Sequence, residues 1–236
     1  MLTNIFSKTN NSFLTIKPLI NMKLLYVVVA GLFISLASPR LSAQTNDAAS
    51  VATTKANKKK AKKFYLDVHE LGAGNVTATA VAGAHQKDLA TEKEFGANFI
   101  KYWVDEKEGK VFCLVQAKDS SDLRKTHAKA HGLLPTHIYE VSEGKASKIR
   151  NMDHLYLDFH DLGAGNVTAA AVAGAHQKDL AVQGKYGVDF VDYWVDEKEG
   201  HVFCLAESKD SASIVNAHKE AHGLLPKRVM KVKQGQ

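Results

Sequence analysis

Cysteine, long apolar runs and basic charge on the folded body are all in short supply in this chain. Two cysteines in 236 residues cannot build a disulfide scaffold, which needs a far denser set. The longest apolar block, LLYVVVAGLFISLAS from Leu24 to Ser38, spans about fifteen residues, short of the roughly 20 that a membrane-crossing helix requires. The formal net charge is +6, but ten of the 31 basic residues lie before Phe64, and from there on 21 basic side chains face 24 acidic ones, a net of −3. A surface that reads nucleic-acid phosphates needs a basic patch on the folded body, so nucleic acid is excluded as the leading partner. With 45% hydrophobic and 24% charged residues the composition is that of globular protein, long enough for one or two domains.

Lys23 precedes the apolar block, and Ser35-Leu36-Ala37 and Leu41-Ser42-Ala43 follow it. A basic start, a short apolar core and a small-residue exit make a secretory signal peptide over residues 1–43. The expected start is Met22, with residues 1–21 read as an upstream misreading of the gene, and cleavage is expected after Ala37 or Ala43. An uncleaved anchor is the competing reading; the lack of a cysteine at the exit argues against a lipid anchor. The mature chain is expected to be periplasmic or secreted, without a membrane span. Residues 44–63, rich in Ala, Thr, Asn and Lys and without apolar period, read as a solvated tether that cannot offset its ordering entropy. Its KANKKKAKK stretch could also touch anionic lipid or glycan.

An internal repeat decides the architecture. YLDVHELGAGNVTATAVAGAHQKDLA from Tyr65 returns as YLDFHDLGAGNVTAAAVAGAHQKDLA from Tyr156. The offset of 91 residues holds through YWVDEKEG, VFCL and AHGLLP, and 48 of 77 positions match between 65–141 and 156–232. The repeats are placed at 64–144 and 155–236, with Ser142 to His154 as the link. Within the first, the alternation of Tyr65 to His69 predicts a strand with Leu66 and Val68 on one face and Tyr65, Asp67 and His69 on the other. Asn75 to about Phe95 has helical length, with Asn75 as its cap. Phe99–Asp105 and Lys110–Val115 form a hairpin, and a helix capped by Asp119 or Ser120 and ended by Gly132 leads to a last strand at 138–141. The order β-α-β-β-α-β is the ferredoxin-like split unit, an α+β fold.

One such sheet, with both helices on one face, leaves the other face bare. Two repeats can cover each other, giving a pseudo-dimeric α+β barrel within one monomeric chain. Independent beads would leave Tyr65, Phe99 and Trp103, and their counterparts Tyr156, Phe190 and Trp194, as exposed aromatic patches.

Of eleven histidines, eight fall in matched pairs: His69 and His160, His85 and His176, His127 and His218, His131 and His222. His127 and His131 are four apart on a helix, a spacing at which two imidazoles grip one metal ion. The topology brings the ends of the first strand and the second helix to one sheet edge, so His69 joins them, with Asp67 as a further group. The metal ligands are therefore expected to be His69, His127 and His131 in the first repeat and His160, His218 and His222 in the second. His85 and His176 are weaker candidates, since His85 could instead pair with Asp88. The competing reading makes all of them hydrogen-bonded polar residues, His131 capping helix carbonyls. His137, His154 and His201 lack counterparts and read as surface residues.

Cys113 and Cys204 sit mid-strand in VFCL and read as small buried hydrophobes, with a bridge across the pseudo-twofold axis as the alternative. No spacing compels a nucleophile–base or acid–base pair, so the chain reads as a binding protein before an enzyme. Gly72-Ala73-Gly74-Asn75 lacks the spacing and lysine of a phosphate loop and reads as a turn.

Taken in order, DVH, AHQKDL, the YWVDEKEG–VFCL hairpin and HAKAHGLLP resemble the small nickel-binding ferredoxin-like proteins, a family still labelled as a domain of unknown function. The resemblance covers Phe64–Val141 and Leu155–Val232. It implies a dimeric α+β barrel and Ni²⁺ binding in some members, with no enzyme implied; export and tandem fusion depart from the family pattern. Imidazole-rich sites also suit zinc and copper. The rival function is a small-molecule binder or oxygenase-like barrel using a cavity between the sheets lined by Tyr65 and Trp103, an analogy of fold alone. A third is a purely structural interaction module.

Overall fold

The computed structural model describes residues 61–145 and 147–236. The leader, and the tether up to residue 60, lie outside the described residues.

The first repeat runs β1 (Lys63–Glu70), α1 (Ala78–Phe95), β2 (Asn98–Asp105), β3 (Lys110–Ala117), α2 (Ser120–Ala130) and β4 (His137–Lys145). After a 3₁₀ turn at Met152–His154, the second runs β5 (Leu155–Asp161), α3 (Ala169–Tyr186), β6 (Val188–Asp196), β7 (His201–Ser208), α4 (Ser211–Ala221), β8 (Arg228–Lys231) and β9 (Lys233–Gly235). Thr77, and not Asn75, caps α1: its hydroxyl accepts from the Ala80 amide, while the Asn75 amide donates to Leu71 O at 2.9 Å and holds the preceding turn. Asp119 caps α2, accepting from the Ser121 amide.

Each repeat forms an antiparallel sheet in the ferredoxin-like order, β4-β1-β3-β2 and β8-β5-β7-β6. The sheets are joined by exchange. β4 pairs with β1 through Val141, then crosses to β6, Ser142 opposite Val195 and Gly144 opposite Tyr193. The equivalent strand of the second repeat is split at Val232: β8 stays on β5, and β9 crosses to β2, Lys233 opposite Val104 and Gly235 opposite Tyr102. Both ends of the strand order thus belong to one continuous strand, and the barrel closes. Glycine gives room at each crossing, since a Cβ on Gly144 or Gly235 would meet the ring of Tyr193 or Tyr102 and force it to shift. The link expected from Ser142 onward is therefore strand as far as Lys145, because β6 offers it a ladder.

The barrel interior holds Leu66, Val68, Trp103, Phe112 and Leu114 from the first repeat, and Leu157, Trp194, Phe203 and Leu205 from the second. Trp103 and Trp194, both fully buried, have ring centroids 4.8 Å apart. Between them runs an ion pair: Lys101 Nζ lies 3.1 Å from Asp192 Oδ2 and within 5.4 Å of both tryptophan rings. Tyr65, Phe99, Val115 and Leu123 fill a separate layer beneath the helices.

This corrects the expected faces. Tyr65 and Phe99 do not join Trp103 between the sheets, and the space between the sheets around the tryptophans is filled by side chains. A bulge between Phe99 and Lys101 shifts the alternation of β2, sending Phe99 to the helices and Trp103 into the barrel. The polar face of β1 turns to the helices because its carboxylate and imidazole need partners that an apolar sheet-to-sheet contact cannot give.

Candidate metal centre

Strand β1 aims Asp67 and His69 under the helices, where α2 places His127 over them and α1 places Asp88 alongside. His127 is 1% exposed and bound on both sides. Its Nε2 lies 3.1 Å from Asp67 Oδ2 and its Nδ1 3.0 Å from Asp88 Oδ1. His131, just past the end of α2, brings Nε2 to 3.0 Å from His127 Nδ1 and 3.3 Å from Asp88 Oδ2. The Leu133 amide donates to His131 Nδ1 at 3.1 Å, which puts the ring N–H on Nε2, where it donates toward Asp88 Oδ2 and would have to be given up for a metal. His69 Nε2 completes it, 3.3 Å from Asp67 Oδ1. The second repeat repeats this geometry: His218 sits 3.2 Å from Asp158 and 2.9 Å from Asp179, with His222 and His160 each 3.1 Å from one of those carboxylates.

The two signs of charge stabilise each other. Burial would raise Asp67, but hydrogen bonds from His127 and His69 outweigh it and hold its carboxyl at about 2; Asp158 is held alike. Burial would lower His127, but Asp67 and Asp88 raise it to about 9, and Asp158 and Asp179 raise His218 to about 10. Without metal, each central imidazole is therefore a cation between two carboxylates at neutral pH. Burial pushes the Cys113 and Cys204 thiols well up, and Asp67 and Asp158 add to it. Both cysteines are free and buried, so the bridge considered above is absent.

Two overlapping donor sets result, each with ligand atoms within 4.8 Å of one another: Asp67, His69, Cys113 and His127, and Asp88, His127 and His131, with equivalents in the second repeat. A cavity of about 40 Å³ in each repeat abuts them, walled by His69, Asp88, His127, His131 and Cys113. His85 lines the same cavity, and its Nε2 is buried without a hydrogen-bond partner, as is that of His176. A buried orphaned imidazole nitrogen on a cavity of nitrogen and oxygen donors fits a divalent transition metal.

Of the three histidines expected as ligands, the structure places His69 and His127 in one donor set and His127 and His131 in the other, so that they share His127 and not a single set. His85 and His176 are buried on the walls of the same cavities but belong to none of the donor sets. Asp88, which the sequence pairs with His85, in the structure holds His127 and His131; its recurrence in AHQKDL is the sequence signal for that role. His137 and His154 are exposed. His201 is not a surface residue: its rings of contact are Tyr139 and Phe159, and its Nδ1 is buried. With Asp196 and Glu199 it forms a further acidic group that the first repeat, with Lys110 at that place, lacks.

A family model described as nickel responsive protein SCO4226-like matches residues 65–141 and again 156–232. Comparison with curated proteins gives no match. Among solved structures, SCO4226 from Streptomyces coelicolor A3(2) is 31% identical over 33% of this chain and 93% of its own, with a TM-score of 0.31. A putative monooxygenase from Lactobacillus acidophilus NCFM is 10% identical over 74% of this chain and 92% of its own, TM-score 0.38. The putative chlorite dismutase TA0507 is 8% identical over 74% and 94%, TM-score 0.39.

Proposed function

The chain belongs to the SCO4226-like nickel responsive family, carried twice, and on that premise we propose that it is an exported protein binding one divalent transition metal ion, nickel first, in each repeat. The observation that carries this reading is the same buried set of two carboxylates and three imidazoles, beside the same small cavity, in both repeats. His69, His127 and His131 supply imidazole nitrogen in the first repeat, and His160, His218 and His222 in the second. Asp88 and Asp179 offset the charge of the ion. The family description supports nickel; zinc and copper suit the same donors. Export rests on the leader alone.

The chemistry is an exchange of cations. The proton held by His127 between Asp67 and Asp88 leaves as the metal arrives, so the carboxylates keep a positive partner in both states. In the metal-free chain burial keeps the thiols protonated, so they offer no thiolate nucleophile, which favours binding over catalysis. Calorimetric titration of the metal-free chain with nickel, zinc and copper tests the reading. Two equivalents at micromolar affinity or better are expected for at least one metal, and no such binding by any of the three overturns it.

A further inference from the structure

The two repeats have kept one cavity and changed another. Each residue lining the metal cavity of the first repeat has an identical residue 91 positions on lining that of the second. A different cavity, of about 200 Å³, opens at one end of the barrel and draws its walls from both repeats. Its walls include four pairs related by the same offset: Val68 with Phe159, Phe112 with Phe203, His137 with Arg228, and Tyr139 with Met230. It therefore straddles the pseudo-twofold axis. Only the Phe112–Phe203 pair is unchanged. In a symmetric dimer the two halves of such a cavity would be identical; fusion has let them diverge.

The divergence has a chemical direction. Phe159, Tyr139 and Phe203 make an aromatic wall, with Phe203 centroids 5.0 Å from Phe159 and 5.4 Å from Tyr139. Lys110, Lys227 and Arg228 line the cavity with Glu70 as the one carboxylate. Lys110 is paired with that Glu70 at 2.7 Å, Lys227 with Asp161 at 2.7 Å, and Arg228 with Glu108 at 2.9 Å. Each of the three cations thus holds a carboxylate, two of them (Asp161 and Glu108) outside the cavity, so the wall offers the remaining N–H donors of Lys227 and Arg228 beside flat apolar rings. The volume is below the range of drug-sized sites and holds one ring with a small substituent.

We propose that this barrel-mouth cavity binds a small single-ring aromatic carboxylate, its ring against Phe159, Tyr139 and Phe203 and its carboxylate facing Arg228 and Lys227. A planar fork such as guanidinium suits carboxylate geometry, and an asymmetric ligand fits an asymmetric site. The site is separate from the metal centres and works without metal.

Titration of the metal-free full chain with benzoate, benzyl alcohol, cyclohexanecarboxylate and acetate, followed by NMR chemical shifts, tests this. Benzoate should bind at least tenfold more tightly than each of the other three, with shifts clustered at Phe159, Tyr139 and Phe203. Returning three positions to the first-repeat residues, Phe159→Val, Arg228→His and Met230→Tyr, should cost at least tenfold in benzoate affinity. The single Arg228→Gln change, at a half-exposed residue, gives the same direction should the triple variant not fold. Equal binding of benzoate and acetate, or unchanged affinity in Arg228→Gln, overturns the proposal and leaves the metal reading untouched.

Discussion

Lys101 and Asp192 occupy the same position in the two repeats, 91 residues apart, and meet each other across the pseudo-twofold axis. At 3.1 Å and an effective dielectric near 20, their gross attraction is about 5 kcal/mol. Much of it is offset by desolvation: burial pushes the Asp192 carboxyl up to about 6 against the pull of Lys101. The pair is thus a weak source of net stability but a strong selector of partner. Asp192→Lys sets two ammonium groups between Trp103 and Trp194, and Lys101→Asp sets two carboxylates there. Breaking a buried pair costs about 3–5 kcal/mol, and with the Lys101 side chain 19% exposed the low end, about 3 kcal/mol, is expected for each. In a domain of this size that lowers Tm by roughly 6–12 °C. Exchanging both residues restores opposite charges, and moves the ammonium toward Glu143, which now faces Asp192. The double variant should recover to within about 1 kcal/mol of the parent. Thermal and urea unfolding of the four proteins closes the cycle. Additive losses in the double variant would refute the pairing argument.

His127→Gln should cut metal stoichiometry from two to one by calorimetry and cost about 3–5 kcal/mol, since Asp67 and Asp88 lose their shared cation; two retained equivalents would show that metal binds elsewhere. The pH dependence has two flanks. His127, raised to about 9, contributes stability fully present below its unfolded value of 6.5 and lost as pH rises through 9, while Asp67, lowered to about 2, contributes stability present above 3.8 and lost as pH falls through 2. Metal-free stability should therefore be greatest between about pH 4 and 6.5, and nickel affinity should keep rising toward pH 9, well beyond the titration of a free imidazole; melting curves and titrations at pH 5, 7 and 9 check both. Cys113 and Cys204, buried and pushed up in pKa, should resist a thiol reagent in the native chain and react at two equivalents in denaturant.

Much of this was legible because the chain is its own alignment. The 91-residue offset carries the repeat and the strand and helix order, and it pairs the histidines that meet at His127 and His218. Two things were hidden. The bulge at Phe99 to Lys101 reverses the facing of half a strand without altering its apolar pattern, so Tyr65 and Trp103 were assigned to one face. Asp88 was read with its helical neighbour His85, because a contact with His127, 39 residues away, depends on how α1 and α2 pack side by side. Lys101 and Asp192 carry a signal of their own: opposite charges at matched positions of two near-identical hydrophobic strands mark a pair.

The exchange of half-strands changes what a cut in the chain would do. β4 belongs to its own sheet up to Val141 and to the other from Ser142, and Val232 marks the same switch, its amide still bonded to Leu155 O at 3.0 Å. A protease that severed the link between Ser147 and Met152 would release two fragments, each still holding a strand in the other's ladder. They would migrate together until denatured, and hydrogen exchange would report one cooperative unit with no faster-opening half. The repeats, though separable in sequence, are in this sense woven: each half's sheet has an edge strand, β2 or β6, that only the other half covers.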